Sequence, residues 1–144
     1  MNAREYLENI RTMDKEISSR LIMIEELESA VTSASVKYSD MPRPATHDNT
    51  SREKMLVKLV DLKHEINAEI DDFVDYKREA IELIRKLSNP EYRIIIINRY
   101  FKYKTWVEIE NSTGTCMRRS QQLHNKAIKE LDSLLEIFDE KNSL

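Results

Sequence analysis

The sequence predicts an all-α fold, in which a long antiparallel helical (coiled-coil) hairpin is followed by a C-terminal helix-turn-helix trihelical domain. The chain of 144 residues has one glycine and three prolines, so tight turns are few. Apolar residues recur at three- and four-residue spacings over two long stretches, as in amphipathic helices. No two segments alternate with a period of two, as paired strands would. We therefore expect two domains, the hairpin over residues 1–88 and the helix-turn-helix domain over 89–144.

The first helix is predicted from Ala3 to about Ser33 and the second from about Arg52 to Leu87. Apolar residues mark the inner face of the first: Leu7, Ile10, Ile17, Leu21, Ile24 and Val31. The second has a heptad-like seam of Leu56, Leu59, Ile66, Ile70, Phe73, Ala80, Ile84 and Leu87. At 1.5 Å per residue the helices would be about 45 and 55 Å long, similar enough to pair antiparallel. Because two helices bury little, we expect the hairpin to recruit a C-terminal helix or a second copy of the chain.

The loop of this hairpin is predicted over residues 33–51. The segment is rich in Ser, Thr, Asp and Asn and contains Pro42 and Pro44, a composition typical of loops.

The next helix is predicted to begin at Asn89-Pro90-Glu91, since Asn caps helices and Pro suits the first helical position. It contains the run Ile94–Ile97, which β-propensity alone would assign to a strand. A strand has no partner here, so the segment is predicted to be helical. Because it is apolar nearly all round, we expect it to be buried between two layers.

Two short signals predict the final pair of helices. Thr105 and Glu108 form a T-x-x-E capping box, which starts a short helix. The sole glycine, Gly114, would end that helix with a positive φ and turn the chain into the next, as in a helix-turn-helix corner. The last helix is predicted from Cys116 to about Phe138. Its inner face consists of Ser120, Leu123, Ala127, Leu131, Leu134 and Phe138.

The outer face of this last helix carries the side chains that a DNA recognition helix uses. Arg matches the two acceptors of guanine, and Gln or Asn matches the donor and acceptor of adenine. We predict a recognition helix over about 116–131 that enters the major groove. The predicted base-reading residues are Arg118, Gln121, Gln122 and Asn125. The predicted phosphate contacts are Arg99, Lys102, Lys104, Arg119, Lys126 and Lys129, with Arg93 as a further candidate. An ordinary solvated helix face is the alternative explanation of these residues.

Charge supports DNA binding only locally. The whole chain has a net charge of -3. Residues 1–90 have 14 bases and 18 acids, whereas residues 91–131 have 8 bases and 4 acids, a local excess of +4. This modest excess predicts weak binding by a monomer, steep salt dependence and a dimeric binding form.

Four segments of the C-terminal third of the chain form a recognisable pattern: Asn98–Phe101, Thr105–Ile109, Gly114 and His124–Leu131. In these segments the chain resembles the promoter-binding region four of bacterial sigma factors. With Asp40–Arg43 and Leu62–Asn67 in its N-terminal part, the whole chain resembles a phage-encoded family of sigma-region-four-like regulators, similar to the ArpU and RinA late-gene activators.

Members of that family have a two-helix N-terminal part with an Asp-Met-Pro-Arg loop, here Asp40–Arg43, and a second helix like Leu62–Asn67. The resemblance implies a transcriptional regulator of phage or prophage genes in a low-GC Gram-positive host. Double-stranded DNA would be its partner, and the hairpin would form a homodimer or contact RNA polymerase.

The recognition helix departs from the sigma pattern at several positions. Cys116 and Met117 stand where sigma factors usually have Ser or Thr followed by a basic residue, and Arg118 stands where an acidic residue is common. Gln122 matches a base-contacting position, but Gln121 replaces a usual Arg. We therefore expect a binding site other than the ordinary promoter hexamer.

Enzyme and membrane functions find little support in the sequence. One glycine cannot form GxGxxG or GxxxxGK[ST], and His47, His64 and His124 lie in three different segments. We expect no catalytic residues, no cofactor and no metal.

No apolar stretch is long enough for a bilayer span, no signal peptide is evident, and one cysteine excludes an intramolecular disulfide, so we expect a cytoplasmic protein. The alternative function is a non-enzymatic coiled-coil adaptor or structural phage protein whose C-terminal helices only pack or bind protein.

Overall fold

A computed structural model describes the backbone of residues 1–38 and 45–143 and the side chains of residues 1–32 and 50–143. Over these ranges every regular element is a helix, which confirms the all-α class. The Asp40–Arg43 motif lies outside the described residues, as does the connection that would close the predicted hairpin.

The described residues form five α-helices and one π-helical turn: α1 Ala3–Tyr38, α2 Ala45–Arg85, α3 Pro90–Ile96, the π-helical turn Ile97–Phe101, α4 Trp106–Thr113 and α5 Met117–Asn142. The predicted loop over 33–51 is therefore too long, because α1 continues to Tyr38 and α2 already begins at Ala45. Ser, Thr, Asp and Asn cost a helix only about 0.7 kcal/mol each at most, and neither extension contains a Pro or Gly that would stop it.

The helices group into two compact units. The terminal unit combines Met1–Asp14 with Phe73–Leu144, and the middle unit is Lys15–Asp72. Both long helices therefore contribute one part to each unit. The division into domains at 1–88 and 89–144 stays a prediction.

In the middle unit, ion pairs join α1 to α2. Arg20 pairs with Glu69, and Glu28 pairs with Lys63. The partner's number falls as the residue number in α1 rises, so the two segments run antiparallel within this unit. Its buried apolar residues are Ile17, Ile24, Val31, Leu59 and Ile66. Leu21 and Leu56, which were predicted to lie on the inner faces, are 41% and 40% exposed.

The core of the terminal unit joins the start of α1 to α2 and α5. Its fully buried large apolar side chains are Leu7, Ile10, Leu87, Ile96 and Ile109. Two carboxylates on α5 secure the neighbouring backbone. Asp132 Oδ1 accepts a hydrogen bond from the Ala3 amide at 2.6 Å. Glu130 accepts bonds from the Ser88 amide and hydroxyl at 2.7 and 3.0 Å.

The predicted start of α3 is confirmed: the Asn89 side chain accepts a hydrogen bond from the Glu91 amide, and Pro90 is the first helical residue. The isoleucine run is helical as predicted, but it is not buried on all sides. Ile95 and Ile96 are buried, whereas Ile94 is 50% and Ile97 38% exposed. This helix packs mainly on α5, so the residues turned away from α5 meet solvent.

The connection from α4 to α5 follows the predicted local geometry. Thr105 Oγ1 accepts a hydrogen bond from the Glu108 amide at 3.2 Å and caps the start of α4. Gly114 ends α4 in the left-handed region with φ 72°, as predicted. The cap of α5 is Cys116, whose side chain makes no capping hydrogen bond. The core between these helices consists of Ile95, Ile109 and Leu123, with Tyr92 and Trp106 packed against it.

Candidate nucleic-acid interface

The face of α5 that was predicted to read DNA is exposed. Arg118, Gln122, Asn125, Lys126 and Lys129 all lie on the exposed side of the helix. The buried side consists of Ser120, Leu123, His124, Ala127, Ile128, Leu131 and Leu135. Polar and cationic side chains therefore form the centre of the outer face.

Few of these outer side chains have partners within the chain. Among the described residues, Arg118, Lys126 and Lys129 enter no ion pair. Arg119 lies at one edge of the face, and its guanidinium is 3.6 Å from the Glu91 carboxylate. Both side chains of that pair are more than half exposed, so the contact is a weak surface ion pair.

Gln121 and Asn125 lie at the opposite edge of α5 and line a groove, which we call the arginine groove. Its cavity has a volume of about 340 Å³. The lining residues come from α1, the π-helical turn, α4 and α5: Arg4, Glu8, Arg11, Arg99, Tyr100, Trp106, Gln121, His124 and Asn125. The predicted base-reading residues are thus divided between an open face, with Arg118 and Gln122, and the wall of this groove.

A buried pair of rings lies at the base of the groove. The Tyr100 hydroxyl is 2.7 Å from Nε2 of His124, and the two rings stack with centroids 5.6 Å apart. The Trp106 ring meets His124 edge to face at 5.3 Å. Trp106 therefore packs in the core and also borders the groove.

The π-helical turn positions Tyr100 in this arrangement. Its wide backbone bond joins the Lys102 amide to the Ile97 carbonyl at 3.0 Å. Asn98 is buried within it, and Nδ2 donates to the Ile94 carbonyl at 2.9 Å. A π-helical turn inserts one residue into the helical register and so redirects the side chains that follow it.

Burial lowers the pKa of His124 below its ordinary value of 6.5, and the positive charges of Arg4 and Arg99 lower it further, whereas a hydrogen bond to the Asn125 side chain raises it. Burial likewise raises the pKa of Tyr100. The pair is therefore neutral at pH 7, and the tautomer of the imidazole decides which of the two atoms donates the hydrogen bond.

The predicted phosphate-contacting residues that precede α4 differ in their exposure and in the contacts that fix their side chains. The Arg99 guanidinium donates to the Lys104 carbonyl at 3.0 Å and lies over the Trp106 ring, 4.9 Å from its centroid. It is therefore held in place and half-buried at the wall of the groove. Lys102 is exposed, and Lys104 is half-buried. Arg93 donates to the Leu87 carbonyl at 2.7 Å.

Sequence reasoning missed the part of the groove that α1 provides. Arg4, Glu8 and Arg11 follow one another at four- and three-residue spacing, so they share one face of α1. Tyr103 reaches the same helix: its hydroxyl donates to Asp14 at 2.6 Å, and Arg11 lies 5.9 Å from its ring centroid. The helical spacing of the three charges was visible in the sequence, but the neighbour that they face was not.

Two further features bear on the kind of site. In the part of the chain that the structure describes, no three His, Cys, Asp or Glu side chains come together as a metal site would require. No described helix carries an apolar stretch long enough to cross a bilayer.

Comparison of the chain with protein families, with curated proteins and with solved structures found no match.

Proposed function

We propose that this protein binds double-stranded DNA as a sequence-specific transcriptional regulator, with α5 as its recognition helix. The observation that carries the proposal is the outer face of α5, where Arg118, Gln122, Lys126 and Lys129 are exposed together. This face begins in the first turn of the helix, the part of a recognition helix that contacts base edges.

The chemistry of the face suits the major groove. The fork of Arg118 fits the O6 and N7 acceptors of guanine, and the amide of Gln122 fits the N7 and N6 atoms of adenine. Lys126 and Lys129 follow at one and two further turns, where cations reach flanking phosphates. An exposed carboxylate on the same helix first occurs beyond them, at Glu136.

The finer architecture belongs to the same proposal. Helix α4, the Gly114 corner and α5 form the helix-turn-helix, and α3 packs behind α5 as the third helix. We propose that this unit acts like region four of a sigma factor, which it resembles at Thr105–Ile109 and His124–Leu131. A phage or prophage regulator in the bacterial cytoplasm is the role that this resemblance favours, with RNA polymerase as a further partner.

A homodimer would give this modest interface the affinity it needs. The middle unit exposes many large apolar side chains, all at least 36% accessible: Leu21, Ile22, Met23, Leu27, Met55, Leu56, Val57, Val60 and Leu62. Exposed apolar residues that join into one patch mark protein-binding surfaces. We propose that a second copy covers them, so that two α5 helices meet two half-sites on the DNA.

The same apolar residues favour the second candidate function, a coiled-coil adaptor. In that case a different protein would cover the middle unit, and α5 would have no DNA to read. Light scattering distinguishes a second copy of the chain from a different protein as the partner of the middle unit. A monomer at micromolar concentration would exclude the homodimer, and DNA binding would then be tested by itself.

DNA binding is tested by selecting sites from random duplexes and measuring affinity for the selected site by fluorescence anisotropy. We expect the double variant Arg118→Ala/Gln122→Ala to lose about tenfold or more in affinity for that site, because two base-reading side chains are removed.

The matched control is Lys141→Ala, which removes one cation from the exposed far end of the same helix. It should bind as the wild type does, and all variants should keep their circular dichroism and melting temperature. Failure to select any site, or equal affinity of the double variant and the wild type, would exclude α5 as a recognition helix.

A further inference from the structure

The arginine groove concentrates positive charge at one place in a chain that is acidic overall. Arg4, Arg11 and Arg99 line it, and Glu8 is the one acidic residue in its wall. Only Arg99 comes from the basic C-terminal segment, and the other two come from the first turns of α1. Three guanidinium groups around one cavity repel one another, so an anion between them lowers the electrostatic energy.

The groove also contains side-chain hydrogen-bond donors, and no acidic side chain other than Glu8 lines it. The amides of Gln121 and Asn125 line it beside the arginines. Burial lowers the pKa of His124 below 6.5, so His124 is neutral at pH 7 and adds no charge to the groove at that pH. Donors of this kind suit an oxyanion, and they do not suit a metal cation.

Arg99 is held in place before any ligand arrives. Its guanidinium is fixed by the Lys104 carbonyl at 3.0 Å and by the face of Trp106. An arginine whose geometry is already set loses little conformational entropy when it binds an anion. The planar fork of Arg pairs with two oxygens of one oxyanion, and three such forks around one cavity match the greater charge and the extra oxygens of a phosphate better than a carboxylate.

We propose that the arginine groove is a phosphate-binding site formed by Arg4, Arg11 and Arg99. Its volume of about 340 Å³ falls at the lower end of the range for small-molecule sites and exceeds what a phosphate group alone would fill. The phosphate therefore belongs to a larger molecule, either a phosphorylated small molecule or the backbone of DNA bound on α5. The second source rests on the proposed function, and the first does not.

The chain carries its own reporter for this site, because Trp106 is the sole tryptophan and lies in the groove wall. Inorganic phosphate is titrated into the full chain at constant ionic strength while tryptophan fluorescence is recorded. We expect a saturable change that chloride does not produce. The double variant Arg4→Gln/Arg11→Gln should weaken binding about tenfold or more, since two charge-assisted contacts are lost.

Two single variants complete the experiment. One should increase the affinity for phosphate, and the other is a control that should leave it unchanged. Glu8→Gln removes the one opposing charge and should tighten phosphate binding. Arg78→Gln removes an exposed arginine of α2 that does not line the groove, so phosphate binding should stay unchanged. Unchanged melting temperatures would show that these exposed substitutions leave the fold intact.

A second arm identifies the source of the phosphate. On DNA, Arg4→Gln/Arg11→Gln should reduce the slope of log affinity against log salt by about 1 to 2, because up to two phosphate contacts are lost. A fluorescence response supports a free phosphorylated ligand, and a reduced slope without that response supports a DNA phosphate. No saturable response to phosphate, together with an unchanged slope or no DNA binding at all, would overturn the proposal. If phosphate binds and no DNA does, the groove stands and the proposed function fails.

Discussion

The hydroxyl of Tyr100 lies 2.7 Å from Nε2 of His124, and both residues are less than a tenth exposed. In the neutral pair the tautomer of the imidazole decides which of the two atoms donates this hydrogen bond. A protonated imidazole can only donate at Nε2, so the hydroxyl would have to accept, and the charged ring would be desolvated at this buried position. The pair therefore ties the packing of α5 against the π-helical turn to the protonation state of one histidine.

Stability is expected to fall in mild acid for this reason. Because folding lowers the pKa of His124, the unfolded chain binds more protons once the pH drops below about 6.5. The free energy of unfolding should therefore decrease as the pH falls through 6.5, until the pKa of the folded state is passed. Urea titrations at several pH values measure this slope.

The matched control for this prediction is the exposed His64. His124→Gln should flatten the pH dependence between the folded and unfolded pKa values, whereas His64→Gln should leave it as in the wild type. An equal slope in His124→Gln would mean that another group is responsible.

Gly114 is required for its backbone angle and not for lack of space. A Cβ at this position would meet no atom within 4 Å, but φ is 72°. Gly114→Val should therefore cost about 2 kcal/mol or more, since a β-branched residue is strongly disfavoured in the left-handed region. Gly114→Asn should cost clearly less, because Asn tolerates that region. Thermal melting of the two variants compares the costs, and similar losses would point to a role other than conformation.

Tyr103 is a second residue with positive φ, at 55°, and its hydroxyl donates to the Asp14 carboxylate at 2.6 Å. Tyr103→Phe keeps the ring and removes this bond, so we expect a loss of about 1 to 2 kcal/mol in the free energy of unfolding. Asp14→Asn should cost less, because an amide oxygen can still accept. A double-mutant cycle with both changes isolates the contact, and additive effects would mean that the two residues do not interact.

Arg119 should matter little for stability. Its contact with Glu91 is exposed and 3.6 Å long, so Arg119→Ala should change the free energy of unfolding by less than about 0.5 kcal/mol. The same variant should weaken binding similarly to all DNA sequences, as loss of a phosphate contact does. Chemical denaturation and DNA titration measure the two effects separately. A large stability loss would assign Arg119 to packing α5 on α3.

The parts of the fold that the sequence predicted depend on local chemistry. The Asn89 cap with Pro90, the Thr105 cap and the αL conformation of Gly114 each follow from a few neighbouring residues. The helical state of Ile94–Ile97 was also predictable, because it depended on the absence of any partner strand. In contrast, the loop was predicted too long, over residues 33–51. Its Ser, Thr, Asp and Asn residues only lower helix propensity, whereas a proline interrupts a helix at a definite position.

The parts that were missed depend on contacts between distant segments. No local sequence signal in Ile97–Phe101 predicts a π-helical turn. The turn places Tyr100 against His124, which is a contact between distant segments of the chain. His124 itself was predictable in part, since counting 100° per residue places it beside Leu131 and Ser120, at about 20° and 40° from them on the inner face of α5. The arginine groove was not predictable, because it needs the first turns of α1 beside a segment almost a hundred residues later.

The hydrogen bond from the Ala3 amide to Asp132 spans 129 positions of the chain. During synthesis on the ribosome, the first turns of α1 emerge long before the helix that completes their core. The middle unit is one continuous stretch, Lys15–Asp72, and all its residues emerge well before α5 does. We therefore expect the middle unit to fold during translation, and the first turns of α1 to wait for α5 with Leu7 and Ile10 uncovered.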